Sequence, residues 1–251
     1  MQNRYAGDIG DFSKLGLLRQ LRKTGLSIGL NWYLTPDETH NTDGRFTQYL
    51  KKPEFHDIDE DLWHSLGKIV GEDWRSVEAL EIAFPQLAVY YHEMLDFRGT
   101  DRNTRPEIRA KWQENALDKL KKCRIIYVDP DNGLMVPSAA KTKRSNKYVL
   151  MQELSDYYHG GANVIYYQHK ARRPDDFYMN QHRQLLDSGS FPGAAGLGLK
   201  FVPTSQRFYF FILQPEHRKL ILDCVKNMMR TEWCRLFCVV FPPDEETGRR
   251  I

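Results

Sequence analysis

"RIIYVDPDNG" (124–133) is the most informative segment for the fold, because its apolar run ends abruptly in acidic and turn-forming residues. The run Ile-Ile-Tyr-Val predicts a strand that is covered on both faces. Pro130 and the later Asn-Gly pair are typical of a turn. Asp129 would stand at the tip of the strand, where an unpaired carboxylate is costly, so we expect it to bind a ligand, a metal or a hydrogen-bond donor.

Runs of the same kind occur on both sides of this stretch. The other predicted strands are SIGLNWYL (27–34), LAVYY (87–91), NVIYYQH (163–169), RFYFFIL (207–213) and CRLFCVVF (234–241). Helical patterns cover 11–23, 59–70, 74–82, 106–122, 146–158, 174–186 and 215–229. Strands that alternate with helices predict an α/β fold with a Rossmann-like, mostly parallel sheet flanked by helices. We expect a single domain over 1–251, with a helical insertion around 52–82 and a flexible Gly-rich loop at 187–200.

The composition of the chain limits which classes of binding partner the sequence predicts. Thirty-six Lys and Arg against 33 Asp and Glu leave a net charge of only +3, so any basic patch for nucleic acid must be local. The four cysteines lack the spacing of a zinc site, and neither a signal peptide nor an apolar run of membrane-spanning length is present. We therefore expect a cytoplasmic protein without a membrane partner.

Three predicted strands end in chemically rich segments. These segments are TPDETHNTDGR (35–45), DPDNG (129–133) and YYQHKARR (166–173). In an open α/β sheet, ligands bind at the carboxyl ends of the strands, so we expect the three segments to outline one cleft. The residues expected around it are Lys14, Asp37, Asp43, Asp129, Asn132 and His169.

The N-terminal segment "YAGDIGDFSKLGLL" (5–18) adds a family resemblance. It resembles the "HAGNxADxxKH" segment of the ribosomal RNA adenine methyltransferases of the RlmJ type, with Asp8 in the place of Asn and with Asp11 and Lys14 in register. In that family one strand ends in an acidic, Gly-rich loop for S-adenosylmethionine, a later strand ends in Asp-Pro-Pro-Tyr, and the next ends in an aromatic pair before a basic residue. The segments YLTPDETHNTDGR, IIYVDPDNG and VIYYQHKAR occupy those places here.

The resemblance implies a methyltransferase-like fold and a methyltransferase that uses S-adenosylmethionine to modify a base amine in RNA or DNA. Asp129 would accept a hydrogen bond from the amine of an adenine, and Pro130 would offer its carbonyl. The candidate catalytic residues are Asp129, Pro130, Asn132 and His169. The candidate cofactor-binding residues are Tyr5, Gly7, Asp8, Lys14, Asp37, His40, Asp43 and Gly44.

Nucleic acid would reach the cleft as a flipped or single-stranded base. Tyr166 and Tyr167 would supply a stacking surface. The residues expected to meet phosphates are Lys141, Lys143, Arg144, Lys147, Lys170, Arg172 and Arg173.

Two departures from the family pattern keep other functions open. Asp131 and Asn132 replace the family's Pro-aromatic pair, and the cofactor loop keeps a single glycine, Gly44. A divalent-metal-dependent nuclease or phosphodiesterase is the first alternative, with Mg or Mn bound by Asp37, Asp43, Asp129 and Asp131 and with His40 or His169 as general base. A non-catalytic nucleic-acid-binding protein is the second.

Overall fold

Alternating strands and helices follow the predicted order along the chain. The computed structural model describes residues 1–38, 44–72 and 74–242. The strands are β1 (Ile28–Asn31), β2 (Val89–Tyr91), β3 (Ile125–Val128), β4 (Gly133–Leu134), β5 (Tyr148–Val149), β6 (Asn163–His169), β7 (Ala195–Phe201), β8 (Arg207–Leu213) and β9 (Phe237–Phe241). The α-helices are α1 (Ile9–Leu21), α2 (Pro53–His56), α3 (Glu60–Gly71), α4 (Val77–Ala83), α5 (Arg105–Leu120), α6 (Met151–His159), α7 (Asp175–Leu186) and α8 (Arg218–Met228).

Seven of these strands form one mixed sheet in the order β2-β1-β3-β6-β8-β7-β9. β1 pairs in parallel with β2 and β3, and β3 pairs in parallel with β6. β8 is antiparallel to both β6 and β7, so β7 runs in the same direction as β6. Five of the seven strands therefore share one direction, and only β8 and β9 oppose it. The predicted mostly parallel sheet is confirmed.

Side chains alternate between the two faces of the sheet and meet a different helical layer on each. Along β3, Ile125 and Tyr127 face one layer, whereas Ile126 and Val128 face the other, as the period of two in a strand requires. Helices α1, α3, α4 and α8 contribute buried residues to the first core, and α5, α6 and α7 contribute to the second. The predicted α/β fold flanked by helices is thus confirmed. None of the helices in the described ranges is long and apolar enough to span a membrane.

The insertion expected around 52–82 is helical, as α2, α3 and α4 fall between β1 and β2. Asp59 caps α3 by accepting a hydrogen bond from the Leu62 amide at 3.1 Å, and Ser76 caps α4 in the same way through the Ala79 amide. Short polar side chains at these positions satisfy amides that the first helical turn leaves free. They therefore set where each helix begins.

The flexible loop predicted at 187–200 is wrong over its second half, where β7 begins at Ala195. The strand was not predicted because Gly196 and Gly198 carry no side chains, so the alternation of side chains typical of a strand is not visible there. A Cβ at Gly196 would lie 2.5 Å from Leu186 Cδ1, and one at Gly198 would lie 2.7 Å from Phe241 Cβ. These glycines allow α7 and β9 to pack closely against β7.

The order of strands reverses between β1 and β3. From β1 the chain crosses to β2 on one side, and it later returns to place β3 on the other side. A crevice at such a reversal, beyond the carboxyl ends of the strands, is where open α/β sheets bind ligands. The topology therefore brings residues 32–38 and 129–133 together.

Candidate functional site

A cleft of about 380 Å³ opens at this reversal, between the strand ends and the first turn of α1. Its volume lies within the usual range for small-molecule sites. The predicted residues that line it are Tyr5, Asp8, Lys14, Gly44, Asp129, Pro130, Asp131, Asn132, Arg144, Lys147, Tyr167 and His169. Lining residues that were not among the candidate site residues include Met1, Gly10, Phe46, Ser205 and Arg207.

The N-terminus of α1 forms one wall of the cleft. Asp8 is the N-cap, and its Oδ1 accepts hydrogen bonds from the amides of Gly10 at 2.6 Å and Asp11 at 3.2 Å. Asp11 reaches back and accepts from the Gly7 amide at 2.9 Å, where Gly7 has a φ of +80°. Burial and the neighbouring Asp11 raise the pKa of Asp8 to about 6, although Arg207 and Lys14 oppose the shift.

Lys14, one turn further along α1, joins this wall to the end of β3. Its Nζ donates to Asp11 Oδ1 at 2.8 Å and to Asp129 Oδ2 at 2.5 Å, and the side chain is almost fully buried. Burial alone would lower the pKa of Lys14, but the two carboxylates raise it, so the ammonium stays charged. The expectation that Asp129 needs a partner is therefore met by Lys14.

Asp129 keeps one oxygen for other contacts. Oδ2 is held by Lys14, whereas Oδ1 accepts no hydrogen bond from any residue in the described ranges. Burial raises the pKa of Asp129, against the attraction of Lys14 and of the Met1 amino group. A buried carboxyl group with an uncommitted acceptor, on a residue that lines the cleft, is suited to receive a ligand N–H.

The crevice between β1 and β3 is partly filled by the first residues of the chain. The Met1 amino group donates to the carbonyls of Tyr33 at 3.0 Å and Asp129 at 3.1 Å, and it forms an ion pair with Asp131 Oδ1 at 2.6 Å. Gln2 Nε2 donates to Asp131 Oδ2 at 2.8 Å. Burial would raise the pKa of Asp131, but the amino group and Lys147 lower it overall. Asp131 is thus engaged by protein cations.

The DPDNG turn is held rigidly by β6. Gln168 Nε2 donates to the Asn132 carbonyl at 3.0 Å, and its Oε1 accepts from the Leu134 amide at 2.9 Å. Gly133 has a φ of +102°, and a Cβ there would lie 2.3 Å from Gln168 Oε1. The glycine is therefore required both by the backbone conformation and by the close approach of Gln168.

The structure corrects the expectation that both tyrosines of β6 form a stacking surface. Tyr167 lines the cleft. Tyr166 points to the opposite face, is 1% exposed, and its hydroxyl pairs with His182 Nδ1 at 3.0 Å. Adjacent residues of a strand face opposite sides, so the two rings cannot share one surface. Of these two tyrosines, only Tyr167 faces the cleft.

Several predicted residues lie outside the cleft. Asp37 is exposed and accepts a hydrogen bond from the Arg4 amide at 3.4 Å, and Gly7 is buried behind the α1 cap. Lys170 is half-buried and paired with Asp175 at 3.1 Å. The residues Lys141, Lys143, Arg172 and Arg173 are exposed, as is Arg144 on the cleft itself. His40 and Asp43 lie outside the described residues.

The glycine of the predicted cofactor loop has a clear local role. Gly44 lines the cleft with a φ of +85°. A Cβ at this position would lie 2.5 Å from the Arg4 carbonyl oxygen. Only glycine permits this approach, so the loop that begins after β1 is drawn against the N-terminal segment.

Three carboxylates of the metal alternative, Asp37, Asp129 and Asp131, lie within the described residues and form no group spaced for a metal ion. Asp129 is ion-paired with Lys14, Asp131 is ion-paired with the Met1 amino group and Lys147, and Asp37 is outside the cleft. Protein cations thus contact both carboxylates of this set that line the cleft, and Asp43 lies outside the described residues. Among the residues that the structure describes, side-chain donors spaced for a metal ion occur on α2 and α3, at His56, Glu60 and His64.

Arg207 is the residue that sequence analysis missed most clearly. It opens β8, pairs in register with His169 of β6, and is 5% exposed at the edge of the cleft. The only sequence feature that marks Arg207 is its place at the start of the apolar run RFYFFIL. Because β8 is antiparallel to β6, the start of β8 lies beside the end of β6. That relation depends on strand order, which the local pattern does not contain.

Comparisons with known proteins add little to this geometry. No family model and no curated protein match the sequence. Among solved structures, the chain is similar to protein LPL1258 from Legionella pneumophila strain Philadelphia 1, described with the family model DUF519. The two chains are 9% identical, the match covers 96% of this chain and 98% of that chain, and the TM-score is 0.46. The functional interpretation therefore depends on the chain's own residues.

Proposed function

We propose that this protein is an S-adenosylmethionine-dependent methyltransferase that acts on a base amine in nucleic acid. The observation that carries the proposal is the contact between Lys14 and Asp129, at 2.5 Å across 115 positions of sequence. The N-terminal segment and the Asp-Pro strand end are the two parts of the chain that resemble the RlmJ-type enzymes. Their meeting at the reversal of strand order supports a common site.

Asp129 and Pro130 would prepare the base for reaction. The exocyclic amine of adenine is a weak nucleophile, because its lone pair is shared with the ring. Asp129 Oδ1 would accept one N–H of this amine and the Pro130 carbonyl would accept the other, which would orient the lone pair and stabilise the charge that develops on nitrogen. Lys14 would act through Asp129 as a positioning residue.

The residues of the cleft are chemically suited to the cofactor. S-adenosylmethionine carries an ammonium, a carboxylate and a sulfonium, and the cleft offers both signs of charge through Asp8, Asp11 and Arg207. Tyr5 and Gly44 would lie on the cofactor side, since both line the cleft. When bound, the cofactor would supply the electrophilic methyl group.

Nucleic acid would bind across the rim of the cleft. Tyr167 would stack on the extruded or single-stranded base. The exposed cations Lys143, Arg144, Arg172 and Arg173 would contact phosphates, so affinity should fall as salt concentration rises.

Calorimetry followed by a transfer assay tests the proposal. The wild type should bind S-adenosylmethionine and S-adenosylhomocysteine, and it should transfer labelled methyl groups to single-stranded RNA or DNA oligonucleotides. Asp129→Asn should retain cofactor binding and lower transfer by about 100-fold or more, because it removes a hydrogen-bond acceptor needed in the transition state.

Asp118→Asn is the matched control, since it removes an exposed carboxylate on α5 whose partner is Lys121. It should transfer methyl groups at the wild-type rate. If the wild type binds neither cofactor form, the proposal is wrong. Salt-dependent nucleic-acid binding in that case would favour the non-catalytic alternative.

A further inference from the structure

Arg207 carries a buried charge that no carboxylate of the described residues approaches to ion-pair distance, although Asp8 attracts it from nearby. The residue is 5% exposed, and its Nε donates to the Ser205 carbonyl at 3.0 Å. It also lies 5.8 Å from the centre of the Phe201 ring. Within the described ranges no carboxylate forms an ion pair with it. Burying an unpaired charge is costly, so such a group is expected to have an anionic partner.

The two lysines of the cleft are already paired, and Arg144 at its rim is exposed. Lys14 contacts Asp11 and Asp129, and Lys147 contacts Glu38 and Asp131. Asp8 is near enough to attract Arg207, but its Oδ1 is committed to the amides of Gly10 and Asp11. The guanidinium is therefore the buried cation of the cleft that remains open to a ligand.

The position of Arg207 directs it toward a ligand at the first turn of α1. A Cβ placed on Gly10 would lie 2.0 Å from Arg207 Nη1, so the guanidinium rests against the helix where Gly10 has no side chain. Gly10, Asp8 and Ser205 line the same cleft. The planar guanidinium of an arginine can donate two parallel hydrogen bonds to an oxyanion. The positive end of the helix dipole also favours a negatively charged ligand.

We propose that Arg207 binds a carboxylate or phosphate group of the molecule that occupies the cleft. This inference rests on the proposed function in one respect, since it concerns the same cleft. The anion has two candidate sources there: the carboxylate in the amino-acid part of S-adenosylmethionine, and a phosphate of the nucleic acid. Both present the same oxyanion chemistry to the guanidinium.

Binding of small anions tests the inference without requiring the cofactor. Inorganic phosphate, methionine and adenosine monophosphate would each be titrated into the full chain by calorimetry. We expect saturable binding of at least one probe by the wild type and at least a tenfold weaker affinity in Arg207→Gln. Loss confined to methionine identifies the carboxylate source, and loss confined to the phosphate-bearing probes identifies the phosphate source.

Two further variants sharpen the result. Arg207→Lys keeps the charge but loses the planar fork, so its affinity should lie between those of the wild type and Arg207→Gln. Arg102→Gln removes an exposed arginine outside the cleft and should bind each probe as the wild type does. Equal affinity of the wild type and Arg207→Gln for every probe, or no saturable binding by the wild type, would overturn the inference.

A measurement on the unaltered protein covers the case in which Arg207→Gln fails to fold. With nitrogen-labelled arginine, the Nη signals of Arg207, assigned through Arg207→Lys, should shift when the probe binds. Shifts of other arginines alone would also overturn the inference.

If the wild type binds phosphate through Arg207 but no cofactor, the proposed function fails and the anion site stands. If the wild type binds cofactor, and Arg207→Gln binds the cofactor and every probe as well as the wild type does, the inference about Arg207 fails and the proposed function stands.

Discussion

Asp129 and Lys14 form a buried ion pair that joins the end of β3 to α1. A carboxylate at the tip of an apolar strand predicted the need for a partner, and that need is met. Lys14 as the partner could not be deduced from spacing, because the two residues are 115 positions apart. The family resemblance pointed to both residues without joining them. The contact exists because α1 packs over the end of β3.

At the same scale, Asp8 should make stability depend on pH. Its pKa is 3.8 in the unfolded chain and about 6 in the fold, so the folded state holds the extra proton between these values. The contribution of Asp8 to the free energy of unfolding therefore falls as pH rises from 4 to 6. Asp8→Asn keeps a good N-cap but cannot ionise, so its stability relative to the wild type should increase by about 2 kcal/mol between pH 4 and pH 7.

Urea unfolding of both proteins at pH 4, 5.5 and 7 measures this difference. The wild type is the internal control, because all other titrating groups are shared and cancel. A difference that stays constant with pH would show that burial does not hold the proton on Asp8.

Helix α1 contains two glycines, Gly10 and Gly16, at positions where a side chain would collide with a neighbouring residue. Gly10 makes room for Arg207, and a Cβ on Gly16 would lie 2.0 Å from Cη2 of the buried Trp233. Glycine lowers the intrinsic stability of a helix by about 1 kcal/mol relative to alanine. Here that loss is offset by close packing of α1 against the indole.

Gly16→Ala should therefore destabilise the protein by about 1–3 kcal/mol, because overpacking of Trp233 outweighs the gain in helix propensity. Gly67→Ala in α3 is the matched substitution, since its Cβ would meet only Leu50 Cδ2 at 3.7 Å. It should stabilise the protein by about 0.5–1 kcal/mol. Urea denaturation of both variants checks the opposite signs, and two changes of the same sign would contradict the packing argument.

Across the whole molecule, a buried network ties the cleft to the far layer of helices. Arg109 of α5 contacts Glu153 of α6 at 2.6 Å and donates to the carbonyls of Ser145 at 2.8 Å and Tyr148 at 2.6 Å. Tyr33 donates to the same glutamate at 3.0 Å. The network anchors residues 143–149, which carry Arg144 and Lys147 of the cleft.

Arg109→Met should cost about 3–5 kcal/mol of stability, because it leaves Glu153 buried without its cation. It should also speed amide hydrogen exchange across 143–149 more than across β3 or β6, since the carbonyl contacts are lost. Lys111→Met on the same helix removes an exposed pair with Glu114 and should change stability by less than about 1 kcal/mol. Uniform exchange in both variants would refute the anchoring role.

Local sequence patterns are enough to predict most of the strands and helices and the edge of the sheet that holds the cleft. Apolar runs and helical periodicity depend on neighbouring residues, and polar residues at strand ends point to the carboxyl edge whatever the strand order. β7 was not predicted as a strand, because its glycines carry no side chains and so show no alternation.

How the cleft residues are combined depends on long-range contacts in the folded chain. It paired Lys14 with Asp129, sent Tyr166 and Tyr167 to opposite faces, and brought Arg207 beside His169. Each of these outcomes depends on which strands are neighbours and in which direction they run. Contacts between distant segments follow from burying both faces of the sheet at once, which no local stretch of residues encodes.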